Sequence, residues 1–289
     1  MKLKGKSIIV TGSSQGFGLA AATAFVQEGA NVAICARGQE MLRIAQKELA
    51  RCATGKAKVI AMPADIANPN DVDRLVEYVV SEFGGVDVLL CNAGVYGPKG
   101  PIEELDWYDW AKAIGINLNG TVLPCRAVIP HMKKNGKGRI IIMSGGGATK
   151  PLPFLSAYAT SKAAVVRFAE TLAEELMDFQ IYVNTVAPGA LNTRMLDEVL
   201  EAGSELVGEK FYNEMLKIKE QGGTSLEVGT SLCVFLASDE SEGITGKLIS
   251  AVWDPWREFP ERLDDLIGTD IFTLRRIIPK DRGKDWGDG

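Results

Sequence analysis

The feature that most narrows what this chain can become is an alternation along its length. Seven short apolar runs, rich in β-branched residues, are separated by longer stretches whose apolar residues recur at helical spacing. The runs are KSIIVTG (6–12), NVAICAR (31–37), AKVIAMPAD (57–65), VDVLLCNAG (86–94), GRIIIMSGG (138–146), IYVNTVAPG (181–189) and KLISAVW (247–253). Strands covered on both faces of a parallel sheet read as near-continuous apolar runs. The stretches 16–29, 40–53, 70–84, 106–134, 156–179 and 225–238 are long enough for the crossover helices that parallel strands need. The pattern predicts an α/β fold: a Rossmann-type, doubly wound, seven-stranded parallel sheet in three α/β/α layers.

The alternation occupies residues 1–253, and no repeat or low-complexity linker divides it, so one catalytic domain is expected there. Two regions stand outside it. Residues 194–224 interrupt it with an amphipathic, helical pattern that would lie over the carboxyl ends of the strands, where open α/β sheets bind ligands. Residues 254–289 form an extension carrying Trp256, Phe259, Phe272 and Trp286 just beyond Trp253. It is expected to pack on the domain or on a neighbouring subunit.

A net charge of −5 argues against nucleic acid as the main partner, which would require a basic footprint. No apolar run approaches the ~18 residues of a membrane span, and the early glycines do not suit a signal peptide. The five cysteines are odd in number, widely spaced and mostly in apolar surroundings. They read as reduced thiols, and a cytoplasmic location is expected. No His/Cys cluster suggests a metal.

The first run leads into TGSSQGFG, a glycine loop that opens a helix. Gly12, Gly16 and Gly18 would let the backbone approach a pyrophosphate, which the helix N-terminus attracts with free N–H groups. Further along, Tyr158 and Lys162 stand four apart in a helical stretch and therefore share a face. A tyrosine has a pKa of about 10, too high for an efficient base at neutral pH, and a nearby ammonium would lower it. At the end of the second run, Ala36 stands where an acidic residue would bind a ribose 2′-hydroxyl, and Arg37 follows. A guanidinium suits a 2′-phosphate, so NADP(H) is favoured over NAD(H).

In order, Thr11-Gly12, Gly16-Phe17-Gly18, Asp65, Asn92-Ala93-Gly94, Asn117, Ser144, Tyr158, Lys162 and Pro188-Gly189 to Thr193 make the chain resemble the short-chain dehydrogenase/reductase family over residues 5–253. The resemblance implies reversible hydride transfer between a nicotinamide cofactor and a ketone or secondary alcohol. It implies Tyr158 as general acid/base, Lys162 on the nicotinamide ribose, Asn117 anchoring a water in the proton relay, and Ser144 orienting substrate. It places the cofactor along Gly12, Ser14, Gln15, Gly16, Phe17, Gly18, Arg37, Asp65, Ile66, Asn92, Ala93, Gly94, Tyr158, Lys162, Leu191 and Thr193. It also implies a homodimer or homotetramer built on helices 106–134 and 156–179, whose apolar stripe includes Val165, Ala169, Leu172 and Leu176. A redox-neutral epimerase with tightly held cofactor and a non-catalytic dinucleotide sensor are the alternative readings.

One departure is conspicuous. In most members the orienting serine stands 13 residues before the tyrosine, and here that position is Gly145, with Ser144 one residue earlier. Either the glycines let Ser144 keep the role, or no side-chain hydroxyl fills it. Ser156 reads as a helix cap, and His131, the only histidine, as a favourable charge at a helix end. The substrate pocket is expected from residues 96–106, 147–155 and 190–222, which offer Tyr96, Lys99, Lys150, Pro151, Phe154, Leu155, Arg194, Met195, Phe211 and Tyr212. Its mixed apolar and basic lining would suit a small carbonyl or alcohol substrate.

Overall fold

A computed structural model describes residues 1–286. Seven strands form one sheet: β1 (Ser7–Thr11), β2 (Asn31–Ala36), β3 (Val59–Pro63), β4 (Val88–Cys91), β5 (Gly138–Met143), β6 (Ile181–Ala187) and β7 (Leu248–Ser250). Each lies inside one of the seven apolar runs. The order is β3-β2-β1-β4-β5-β6-β7, and every neighbouring pair is parallel.

The helices are α1 (Gly16–Gln27), α2 (Gln39–Cys52), α3 (Pro69–Phe83), α4 (Trp107–Ile114), α5 (Gly120–Asn135), α6 (Ser156–Leu176), α7 (Arg194–Ala202), α8 (Ser204–Val207), α9 (Glu209–Gln221), α10 (Leu226–Ala237) and α11 (Leu263–Leu266). Local chemistry sets several starts. Asn68 caps α3 through Asn70 N–H and Pro69 occupies its first turn, while Asp106 caps α4 and Ser225 caps α10.

Strand side chains alternate between faces, and that alternation builds two cores. Ile8, Val10, Val88, Leu90, Ile141 and Met143 join α1, α2 and α10 on one face. Ile9, Leu89, Cys91, Ile140 and Ile142 join α3, α5 and α6 on the other. The sheet is thus the middle of three layers. Val165, Ala169, Leu172 and Leu176 all belong to the second core, so the stripe on α6 is spent against the sheet.

The single helix expected over 106–134 is two. A π-helical turn, Gly115–Asn119, separates α4 from α5. The widened turn carries Asn117 into the interior, where it is 1 % exposed.

Beyond β7 the chain folds back. Trp256, Phe259 and Leu266 enter the first core, and Trp256 meets Phe235 at 5.3 Å between ring centroids. Leu248 N–H donates to the Phe272 carbonyl at 2.7 Å, so returning backbone covers the outer edge of β7. Lys247 Nζ donates to the carbonyls of Thr269 and Ile271 at 2.9 and 3.0 Å. Trp253 and Trp286 stay exposed. Residues 287–289 of the expected extension lie outside the described residues.

Candidate active site

The strand order reverses at β1, between β2 and β4, and the carboxyl ends of β1 and β4 open into a crevice there. A clasp holds the two loops. Thr11 Oγ1 accepts from Asn92 N–H at 3.0 Å and Ala93 N–H at 3.1 Å, and Asn92 Nδ2 donates to the Thr11 and Gly12 carbonyls, both at 3.0 Å. Gly12 has φ +63, and a Cβ on it would stand 2.7 Å from Ala93 Cα. Only glycine fits that approach. Gly16, at φ +59, faces open space. α1 begins behind Gln15 with no side-chain cap, so its first N–H groups are free for an anion. These residues fit a dinucleotide pyrophosphate.

A cavity of about 1120 Å³ runs from this loop across the ends of the strands. Every residue that the sequence assigned to the cofactor lines it, from Gly12 and Ser14 through Arg37, Asp65 and Asn92 to Leu191 and Thr193. Ser144, Tyr158 and Lys162 line it as well; Asn117 does not. The Asn117 side chain is consumed by structure. Its Oδ1 accepts from Val95 N–H at 2.8 Å, and its Nδ2 donates to the Val95 carbonyl at 2.8 Å and to Ser161 Oγ at 2.9 Å. Ser161 Oγ in turn donates to the Tyr158 carbonyl at 2.7 Å. Sequence reading overlooked Ser161, although it precedes Lys162 and so had to stand near the site.

Lys162 Nζ is buried and donates to the Met143 carbonyl at 2.8 Å. Burial lowers its pKa to about 8. Burial also raises the Tyr158 pKa, and the neighbouring Tyr96 adds to the effect. The expected lowering of the phenol by Lys162 is therefore corrected for the chain by itself: desolvation dominates, and the amine is turned toward Met143. At neutral pH Tyr158 holds its proton, the form that can donate one to an oxyanion.

Tyr96 packs on Tyr158 with ring centroids 4.6 Å apart. Burial, with Glu198 nearby, pushes its own pKa up to about 12. Ser144 Oγ is buried without a hydrogen-bond partner among the described residues, although its N–H is anchored on the Val186 carbonyl at 2.8 Å.

Ser156 is not a cap. It is the first residue of α6, the cap position is Leu155, and Ser156 Oγ accepts from the Trp110 indole at 3.1 Å. His131 lies on α5, away from the cavity. Of the expected substrate wall, Tyr96, Lys150, Arg194, Met195 and Phe211 line the cavity. Lys99, Pro151, Phe154, Leu155 and Tyr212 do not. Leu155 is fully buried, and the Phe154 ring stands instead against Gly208, where a Cβ would meet it at 3.1 Å.

Met215 and Ile218 lie in the expected segment 190–222 but were not singled out, although with Phe211 they stand at i, i+4 and i+7 of α9, a spacing that marks one face. Glu198 of the same segment was likewise not singled out, and Trp253 and Asp254 lie outside the expected segments. The segment bearing α7 to α9 is closed at its base by an antiparallel bridge between Leu191 and Gly223, and Lys219 pairs with Asp197 at 2.7 Å.

A family model described as short chain dehydrogenase matches residues 6–203. A glucose 1-dehydrogenase of Gluconobacter oxydans is 35% identical over 249 residues, covering 86% of this chain and 91% of its own. A D-beta-hydroxybutyrate dehydrogenase of Rhizobium meliloti is 31% identical, with coverage of 85% and 96%. Among solved structures, an NAD+-bound xylitol dehydrogenase superposes with a TM-score of 0.79 at 26% identity, covering 86% of this chain and 98% of that one. An actinorhodin polyketide ketoreductase with NADPH gives 0.78 at 28%, with coverage of 86% and 97%.

Proposed function

The chain belongs to the short chain dehydrogenase family and is an NAD(P)-dependent oxidoreductase of alcohol and ketone substrates; from that premise we propose that Tyr158 is its general acid/base and NADP(H) its preferred cofactor. The observation that carries the reading is the shared cavity. Tyr158 and Lys162, both buried, line the same space as the uncapped glycine loop.

When bound, the dinucleotide supplies or accepts hydride at the substrate carbon. The protein's residues do the rest. The α1 N-terminus and Gly12 to Gly18 would hold the pyrophosphate, and Asn92 to Gly94 the adenosine side. Lys162 would meet the nicotinamide ribose, and Leu191 and Thr193 the carboxamide. Tyr158 gives its proton to the carbonyl oxygen in reduction and takes it back in oxidation. Ser144, whose hydroxyl has no hydrogen-bond partner among the described residues, is the candidate to orient that oxygen. Asn117 acts by position, tying the loop after β4 to α6 through Val95 and Ser161.

Arg37 supports NADP(H). It lines the cavity beside Ala36, and no carboxylate stands at the end of β2 to repel a 2′-phosphate. The substrate we propose is a small ketone or secondary alcohol, taken up beneath α7 and α9 against Met195, Phe211, Met215 and Ile218. We also propose a cytoplasmic enzyme that assembles as a homodimer or homotetramer. Exposed Trp107 and Tyr108 on α4, and Met177 and Phe179 just after α6, support the assembly. Light scattering that returned a monomer mass would overturn it.

The test of the main reading is titration with NADPH and, separately, NADH, followed by energy transfer from the tryptophans, and then a carbonyl screen. Tighter NADPH binding and carbonyl-dependent oxidation are expected. A Tyr158→Phe variant with full turnover would overturn the catalytic assignment.

A further inference from the structure

Gly145 stands where most members of the family carry the orienting serine. The structure offers a steric reason for the glycine. A Cβ built on Gly145 would approach Tyr158 Oη to less than 3.0 Å, a separation that real Cβ atoms essentially never show. The next atom of the ring, Cζ, would be at 3.4 Å, an ordinary contact. The conflict is with one atom, the phenol oxygen.

Backbone strain does not explain the glycine. Gly145 has φ −176 and ψ 175, an extended conformation open to any residue. The three consecutive glycines also differ in their surroundings. Gly146 has nothing within 4 Å of its built Cβ, whereas a Cβ on Gly147 would stand 2.8 Å from the backbone of α6, at Ala159 Cα.

Nor can the phenol retreat freely. Tyr158 is 9 % exposed, and the Tyr96 ring leans on it at 4.6 Å, tilted by 52°. Tyr96 is itself half-buried, on the loop that Asn117 ties down through Val95.

We infer that Gly145 and Tyr96 form a seat for the Tyr158 phenol. Gly145 is a positioning residue that leaves out a side chain so that Oη can settle against the backbone, and Tyr96 holds the ring there. Serine at 145 is then incompatible with this placement of the phenol, and the hydroxyl available to the substrate is that of Ser144. The catalytic consequence rests on the proposed role of Tyr158; the seat rests on geometry alone.

The test is a double-mutant cycle. Gly145→Ala is made in the wild-type chain and in Tyr158→Phe, which lacks the conflicting oxygen. Gly145→Ala should lower Tm by about 2–4 °C in the wild type and by little in Tyr158→Phe. Equal shifts in the two backgrounds, or none in either, would overturn the seat.

A second arm reads turnover of an aromatic α-diketone with NADPH. A displacement of the phenol by ~1 Å can cost ~100-fold, so Gly145→Ser should lose roughly 10- to 100-fold in kcat while its Kd for NADPH stays within about twofold of wild type. Unchanged or increased kcat in Gly145→Ser would overturn the inference, because glycine would then be no more than a missing hydroxyl. If the wild type turned over no diketone, that would count against the functional reading, and the melting cycle would still decide the seat.

Discussion

Tyr158 and Lys162 are both taken out of water, and their titrations carry the consequences. The Lys162 pKa falls from 10.5 to about 8 through burial. Between those two values the unfolded chain binds more protons than the folded one, so this group makes stability rise with pH across that window. At pH 7 the folded state bears the cost of a buried ammonium. Lys162→Met should therefore melt higher than wild type at pH 7, with the gap closing as pH approaches 10. Melting curves at several pH values would check this. Tyr158, Cys35 and Cys233 are pushed upward by burial and act in the opposite sense at alkaline pH, but they are common to both proteins and cancel in the difference.

Two more residues yield direct tests. On the role proposed for Ser144, Ser144→Ala removes a single neutral hydrogen bond to the reacting oxygen and should cost ~1–3 kcal/mol of transition-state stabilisation, read as kcat/KM. Arg37→Asp places a carboxylate at the end of β2. It should weaken NADPH and favour NADH, read as the ratio of the two dissociation constants; an unmoved ratio would remove Arg37 from the phosphate site.

At the scale of elements, the π-helical turn at Gly115–Asn119 does the positioning. Asn117 satisfies both backbone groups of Val95 and reaches Ser161 on α6. Asn117→Ala leaves the half-buried N–H and carbonyl of Val95 without their side-chain partner, at a cost of ~1–3 kcal/mol in total. Urea unfolding should show that loss of stability alongside reduced kcat. Stability equal to wild type would mean that water replaces the side chain. Helical periodicity alone could not reveal this turn, because a π-turn inserts one residue into an otherwise apolar helical pattern. The faces of α7 and α9 are different: their spacing was readable, but which face met the cavity depended on the Leu191–Gly223 bridge that folds the segment back.

For the whole molecule, the returning chain after β7 is the part with most at stake. Trp256, Phe259 and Leu266 are each 5 % exposed or less and belong to the core shared by α1 and α10. Truncation after Asp254 would uncover that core and the edge of β7. A marked fall in Tm and a tendency to aggregate are expected, checked by calorimetry and light scattering; a truncated chain as stable as the full one would show that these contacts contribute little.

The sheet was legible in the chain, because near-continuous apolar runs separated by stretches of crossover length suit a parallel sheet covered on both faces, and the crossovers have one favoured hand. The glycine loop was legible too, because the positive φ at Gly12 and the uncapped start of α1 lie within a few residues of each other. The tertiary structure alone decided how the site is completed. Whether Gly145 is a gap or a seat depends on the Tyr158 oxygen arriving from another element, and whether Asn117 faces the cavity or the scaffold depends on Val95 and Ser161. The ionisation of Tyr158 and Lys162 belongs with these: it follows from burial, which arises only when distant segments close over both side chains.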